Sequence, residues 1–121
     1  MANEITATAT LRVAKSGFDQ TVTRTKSIDM TGTHFNYTVQ NIGTTAEALS
    51  LGDVATPGMI YVRNTDASNY VEIGRTISAT WQPFALVRAG EVAMFRSAAS
   101  ITLQGKANGS ACDCEVWIVE D

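Results

Sequence analysis

Histidine occurs once in this chain of 121 residues, cysteine and proline twice each, and Lys and Arg form no cluster. The lone imidazole, His34, removes most general-base and triad arrangements, because a Ser or Cys nucleophile needs an imidazole that a carboxylate holds in place. Twelve acids against nine bases give a net charge of -3, without the basic footprint that a phosphate backbone demands, so nucleic acid is not an expected partner. No run approaches the ~18 consecutive apolar residues of a membrane-spanning helix, so no membrane partner is expected either. The opening MANEITATAT lacks the basic stretch and apolar core of a secretion signal. Export by a signal peptide is therefore not expected, and folding in a cytoplasm is.

Threonine and alanine are abundant instead, sixteen of each. Thr branches at Cβ and fits a pleated, half-buried surface better than a helix, so the composition reads as all-β. Ile5, Ala7, Ala9, Leu11 and Val13 alternate with Thr6, Thr8, Thr10 and Arg12, the period of a half-buried strand. Ala14 to Gly17 supply a turn, after which Val22, Ile28 and Met30 share a face with Arg24 and Lys26, as an edge or solvent-exposed stretch would. Phe35, Tyr37 and Val39 alternate with Asn36, Thr38 and Gln40 in a third strand. Residues 44–51 fit a helix through the capping box Thr44-x-x-Glu47, or a strand through Thr45, Glu47, Leu49 and Leu51. The strand is preferred, being short and flanked by strands.

Later turn signals suggest pairings. Pro57-Gly58 fits a type II turn. Met59 to Arg63 and Tyr70 to Arg75 read as a hairpin around the loop 64–69. A two-residue turn at Ala89-Gly90 would set Arg88 opposite Glu91 and Phe84 opposite Phe95, leaving both faces of the ribbon apolar. Phe84, Leu86 and Phe95 would form one face, and Ala85, Val87, Val92 and Met94 the other. Either face is then covered within the sandwich or forms a subunit interface. Asn108-Gly109 matches a type I′ turn, which would set Gly105 opposite Cys112, Leu103 opposite Cys114 and Ile101 opposite Val116, with Trp117 and Val119 continuing the solvent side. Eight to ten such strands predict a single-domain antiparallel β-sandwich over residues 1–121, jelly-roll-like, with a short N-terminal arm at 1–4.

Reactive groups are sparse. Cys112-x-Cys114 supplies two of the four ligands a structural zinc needs, so buried, reduced thiols are expected rather than a metal site or disulfide. Asn64, Asp66 and Asn69 offer oxygens that a calcium ion could use, but one carboxylate is thin for such a site, and a loop bonding to itself is expected. No catalytic residue, cofactor or metal is predicted. What survives is a set of protein-contact candidates, the aromatics Tyr61, Tyr70, Trp81 and Trp117 together with Phe84 and Phe95 of the apolar ribbon.

The segment Pro57 to Gly74, then Phe84-Ala85-Leu86-Val87-Arg88-Ala89-Gly90-Glu91, and the ending Glu115-Val116-Trp117-Ile118-Val119-Glu120-Asp121 resemble small virion structural proteins of tailed bacteriophages. The resemblance covers about residues 49–121. It implies a β-sandwich without catalysis that adds to a larger particle, as capsid decoration or cement proteins do, with the major capsid protein or other virion proteins as partners. A closed homo-oligomer, a trimer first, follows from particle symmetry. A tail or fibre module binding carbohydrate or a receptor is the alternative that this resemblance leaves.

Overall fold

A computed structural model describes residues 3–121; Met1 and Ala2, half of the arm expected at 1–4, lie outside the described residues. The described residues contain no helix. They fall into two compact units, one ending at Thr31 and one running from Gly32 to Asp121.

The first unit is a single hairpin. Strands β1 (Ile5–Lys15) and β2 (Phe18–Ile28) pair in unbroken register from Ile5 opposite Ile28 to Lys15 opposite Phe18. Ser16 and Gly17 both take positive φ, 50° and 85°, the requirement of a two-residue type I′ turn. One face carries the threonines, where Thr8 faces Thr25 and Thr10 faces Thr23 with hydroxyl oxygens 3.0 Å apart in each pair. Arg12 and Asp19 close that face with a two-pronged ion pair, which raises the guanidinium pKa and lowers that of the carboxyl. The predicted N-terminal strand is present but not half-buried, since beyond Ile5 its apolar side is exposed at Ala9, Leu11 and Val13, and the stretch bearing Arg24 and Lys26 is solvent-exposed as expected.

The second unit is an antiparallel β-sandwich. One sheet orders β3 (Phe35–Ile42), β10 (Cys112–Glu120), β5 (Pro57–Asn64) and β8 (Val92–Arg96), and the other orders β4 (Glu47–Ala48), β9 (Gln104–Ala107), β6 (Val71–Ile77) and β7 (Thr80–Val87). Between them lie Ile42, Val62, Val71, Ile73, Val87, Val116 and Ile118, all nearly or wholly sealed from solvent, with Cys112 and Cys114 beside them. The cysteines are free thiols, and burial pushes the Cys114 pKa up to about 12, which keeps it protonated and unreactive at neutral pH. The capping box forms no helix. Glu47 sits in the two-residue β4, and its carboxylate accepts the Gly43 N–H at 3.1 Å.

Only β6 and β7 form a local hairpin in this unit, through Ser78 and Ala79 with φ of 49° and 63°. Every other connection carries the chain from one sheet to the other. That alternation corrects three predicted hairpins. Met59–Arg63 and the strand beginning near Tyr70 do not pair, because β5 and β6 belong to opposite sheets. Phe84 and Phe95 are not ladder partners, although their rings do meet edge to face at 5.3 Å across the gap between β7 and β8. In β8 it is Ala93 and Phe95 that pack toward the core, while Val92 and Met94 face out. Gly105 does not face Cys112 in a ladder; its Cα points at Ile42, whose Cδ1 would lie 3.0 Å from an added Cβ. At Asn108-Gly109 only the glycine has positive φ, and a Ser110 N–H to Asn108 carbonyl bond at 2.6 Å closes a three-residue turn in place of type I′. Pro57-Gly58 is no type II turn either, since both residues begin β5 and Gly58 lacks positive φ. The physical reason is common to the three hairpins. Turn-forming residues reverse the chain equally well onto a neighbouring strand ~4.8 Å away or onto a facing sheet ~10 Å away.

Candidate functional site

The outer face of the β3-β10-β5-β8 sheet is built from alternate residues of four strands. Tyr37 pairs with Trp117, Trp117 with Tyr61, and Tyr61 with Met94, so one row of large side chains crosses the entire sheet. The Tyr37 and Trp117 rings lie 4.7 Å apart, tilted by 57°. Phe35, Val39 and Val92 extend the apolar surface along the edge strands, and they are 66%, 55% and 49% exposed. The charged groups of this face are paired, with Arg63 and Glu115 in the neighbouring row between Val39 and Val92. Arg63 bridges to Glu115 at 3.3 Å, Arg96 pairs with Asp121, and Asn41 donates to Asp113 at 2.8 Å. Exposed aromatic and sulfur-bearing side chains beside internally neutralised charge are the residue types that protein contacts favour.

The sheet turns its polar residues inward at β3 for a local reason. Asn36 and Gln40 donate to the carbonyls of Ser50 and Ala48 at 3.1 and 2.9 Å, and Gln40 accepts the Ser50 N–H at 2.9 Å. These bonds tie β3 to the segment of β4 and leave Phe35, Tyr37 and Val39 on the outside. Sequence reading identified this strand but assigned contact roles only to Trp117 and Tyr61 of the row, missing Tyr37 and Met94. The signal was present in residues 116–119, four consecutive apolar positions that cannot all face one core.

The other predicted contact residues do not gather here. Trp81 is half-buried on the opposite sheet, its indole N–H bonded to Glu72 at 3.0 Å. Tyr70 lies at the crossover before β6, where its N–H donates to the Asn108 side chain at 2.7 Å. Phe84, 60% exposed, and the half-buried Phe95 line a cleft of about 500 Å³ with Pro83, Ile101 and Leu103.

In the loop 64–69, side-chain oxygens of Asn64 and Asp66 bond to backbone N–H groups of the same loop. Asn64 Oδ1 accepts the Asp66 N–H at 2.9 Å, and Asp66 Oδ1 accepts those of Ser68 and Asn69 at 2.8 and 2.7 Å, which lowers the Asp66 pKa. Loop self-bonding is what the sequence predicted.

His34 meets Glu120, whose carboxylate is heavily bonded among the described residues. It accepts from the Thr33, Ala55 and His34 backbone N–H groups at 2.9, 3.0 and 3.2 Å, and lies 3.1 Å from His34 Nδ1. The Thr33 and Ala55 donors, followed by the His34 ring, hold the Glu120 pKa well below its ordinary value, at about 2. A carboxyl depressed on folding contributes stability in full above its unfolded pKa of ~4.3 and loses it as pH falls toward the folded value. Thermal unfolding at pH 7, 4 and 2.5 should show the parent losing more stability across this range than Glu120→Gln does. Parallel pH profiles for the two proteins would contradict the clamp.

No protein-family model, curated protein sequence or solved structure matches this chain.

Proposed function

We propose that the chain is a non-enzymatic structural protein of a bacteriophage virion, a capsid decoration or cement protein that binds the capsid surface and stabilises the head. The observation that carries this reading is the aromatic row Tyr37, Trp117, Tyr61 and Met94, an apolar face on a sheet whose other side already fills the core. A contact of that kind needs no reactive group, and copies held on a shared lattice gain by avidity what each lacks in affinity. The strand orders support a finer reading of the fold as a jelly roll. Each sheet draws alternately on early and late strands, 3-10-5-8 and 4-9-6-7, the arrangement of two interleaved Greek keys that recurs in capsid and lectin domains. The resemblance of residues 49–121 to small phage virion proteins points the same way, with the particle in place of any cellular compartment as the site of action. Particle symmetry favours a closed homo-oligomer, a trimer first.

The row of rings also suits a sugar-stacking platform, which would make the chain a tail or fibre module. Co-sedimentation of the purified protein with decoration-free capsids, alongside retention on host glycans, separates the two. Binding to capsids is expected, with Trp117→Ala weakening it by roughly 30-fold, the loss of one ~2 kcal/mol hot spot. Absence from the capsid pellet together with retention on glycans would sink the decoration reading.

A further inference from the structure

The hairpin β1–β2 has a second face unlike its threonine side. Leu11 and Val22 stand opposite each other on it, with Val13 and Phe18 nearby, and these four are 67%, 48%, 49% and 55% exposed. Lys15, Arg24 and Lys26 lie on the same face, and none is ion-paired among the described residues. A lone two-stranded ribbon is at best marginally stable in water, so its apolar side calls for a cover. The threonine side is already satisfied within the ribbon.

We infer that this apolar and basic face of β1–β2 is an interchain arm that seats on the body of a second copy of the same chain. Charge selects that occupant. Up to Thr31 the chain holds Arg12, Lys15, Arg24 and Lys26 against Glu4, Asp19 and Asp29, a net of +1, while the remaining five bases and nine acids give the body -4. Arm and body therefore carry net charges of opposite sign, which favours contact between an arm and the body of another copy. The area suffices as well. Strands of eleven residues are about 36 Å long, so one ribbon face covers about 360 Å² and its docking removes about 700 Å² from water over both partners. Two exchanged arms reach about 1,400 Å², within the range of specific interfaces. The arm is independent of what the aromatic row binds, so a chain that never touches a capsid would still associate through it.

The test is the mass of the full-length chain in solution by light scattering at roughly 100 µM, ample for a micromolar association. The parent should run as an oligomer that loosens at high salt. Leu11→Asp with Val22→Asp, and separately Lys15→Glu with Arg24→Glu and Lys26→Glu, should each give monomers, while Thr8→Ala with Thr25→Ala on the opposite face keeps the parent mass. Both tryptophans, Trp81 and Trp117, lie in the body, so their fluorescence melt reports its folding separately from the arm. If the double Asp variant unfolds the body, the charge-reversal variant decides. A monomeric parent, or charge-reversed arms that stay associated, overturns the assignment.

Discussion

Asn64→Leu should cost the body about 3–4 kcal/mol and lower its melting temperature by more than 10 °C, although the side chain changes little in volume. Asn64 is wholly buried, and it is the one polar side chain among the fully buried described residues. Its amide donates to the carbonyls of Asn69 and Val87 at 2.9 and 3.1 Å, and its side-chain oxygen accepts the Asp66 N–H. Its backbone is also enlisted, accepting the Gly90 N–H at 2.9 Å and donating to the Glu91 carbonyl at 3.0 Å. One residue thus fixes both the crossover after β5 and the return between β7 and β8. Leucine would strand the Val87 carbonyl where water does not reach and unpair the half-buried Asn69 carbonyl and Asp66 N–H beside it, and each buried orphan costs ~1–3 kcal/mol. Calorimetry of the two proteins checks this, and a shift under 3 °C would show that the network rearranges at no cost.

Gly74→Ala is expected to be comparably severe for a different reason. The register between β6 and β7 slips between Ile73 and Gly74, and at this irregularity the two backbones come very close. A Cβ at position 74 would sit 2.7 Å from Pro83 Cα and closer still to the Gln82 carbonyl oxygen, both main-chain atoms. Gly74 has no positive φ, so the obstacle is space and not conformation. Either the ladder opens or the sheet shifts, at a cost of about 3 kcal/mol or more. Gly90→Ala is the useful contrast, since its φ of 78° disfavours alanine but nothing crowds the added methyl, so its loss should stay near 1 kcal/mol. Equal losses in the two variants would remove the close approach as the cause.

These two residues also show what the sequence does and does not disclose. Alternation assigned sides correctly along β10, where Cys112, Cys114, Val116 and Ile118 are buried and Asp113 and Trp117 are exposed. Side-chain period is a local property of the strand, so a single sequence carries it. Partnership is different. Asn108-Gly109 and Ala89-Gly90 both mark real reversals, yet the strands they join belong to different sheets, and nothing within those few residues distinguishes a hairpin from an arch. The tight type I′ turns lie at Ser16-Gly17 and Ser78-Ala79, where the residues announce them more weakly. Half of the aromatic row was legible for the same reason. Trp117 stood out on the solvent side of its own strand, but Tyr37 and Met94 join it only through β3 and β8, strands distant in sequence.

The alternation of sheets has a kinetic consequence. In the body only β6 and β7 can pair with a strand adjacent in the chain, so every other ladder must wait for a partner far along it, from β3 with β10 to β5 with β8. Closing such long loops before any contact repays them is the slow step of β-rich folding, on the scale of milliseconds to seconds. The β1–β2 ribbon needs only a two-residue reversal and closes in roughly microseconds. It therefore opens and closes many times before the body of its own chain is complete, and association through the inferred arm would be paced by completion of the sandwich.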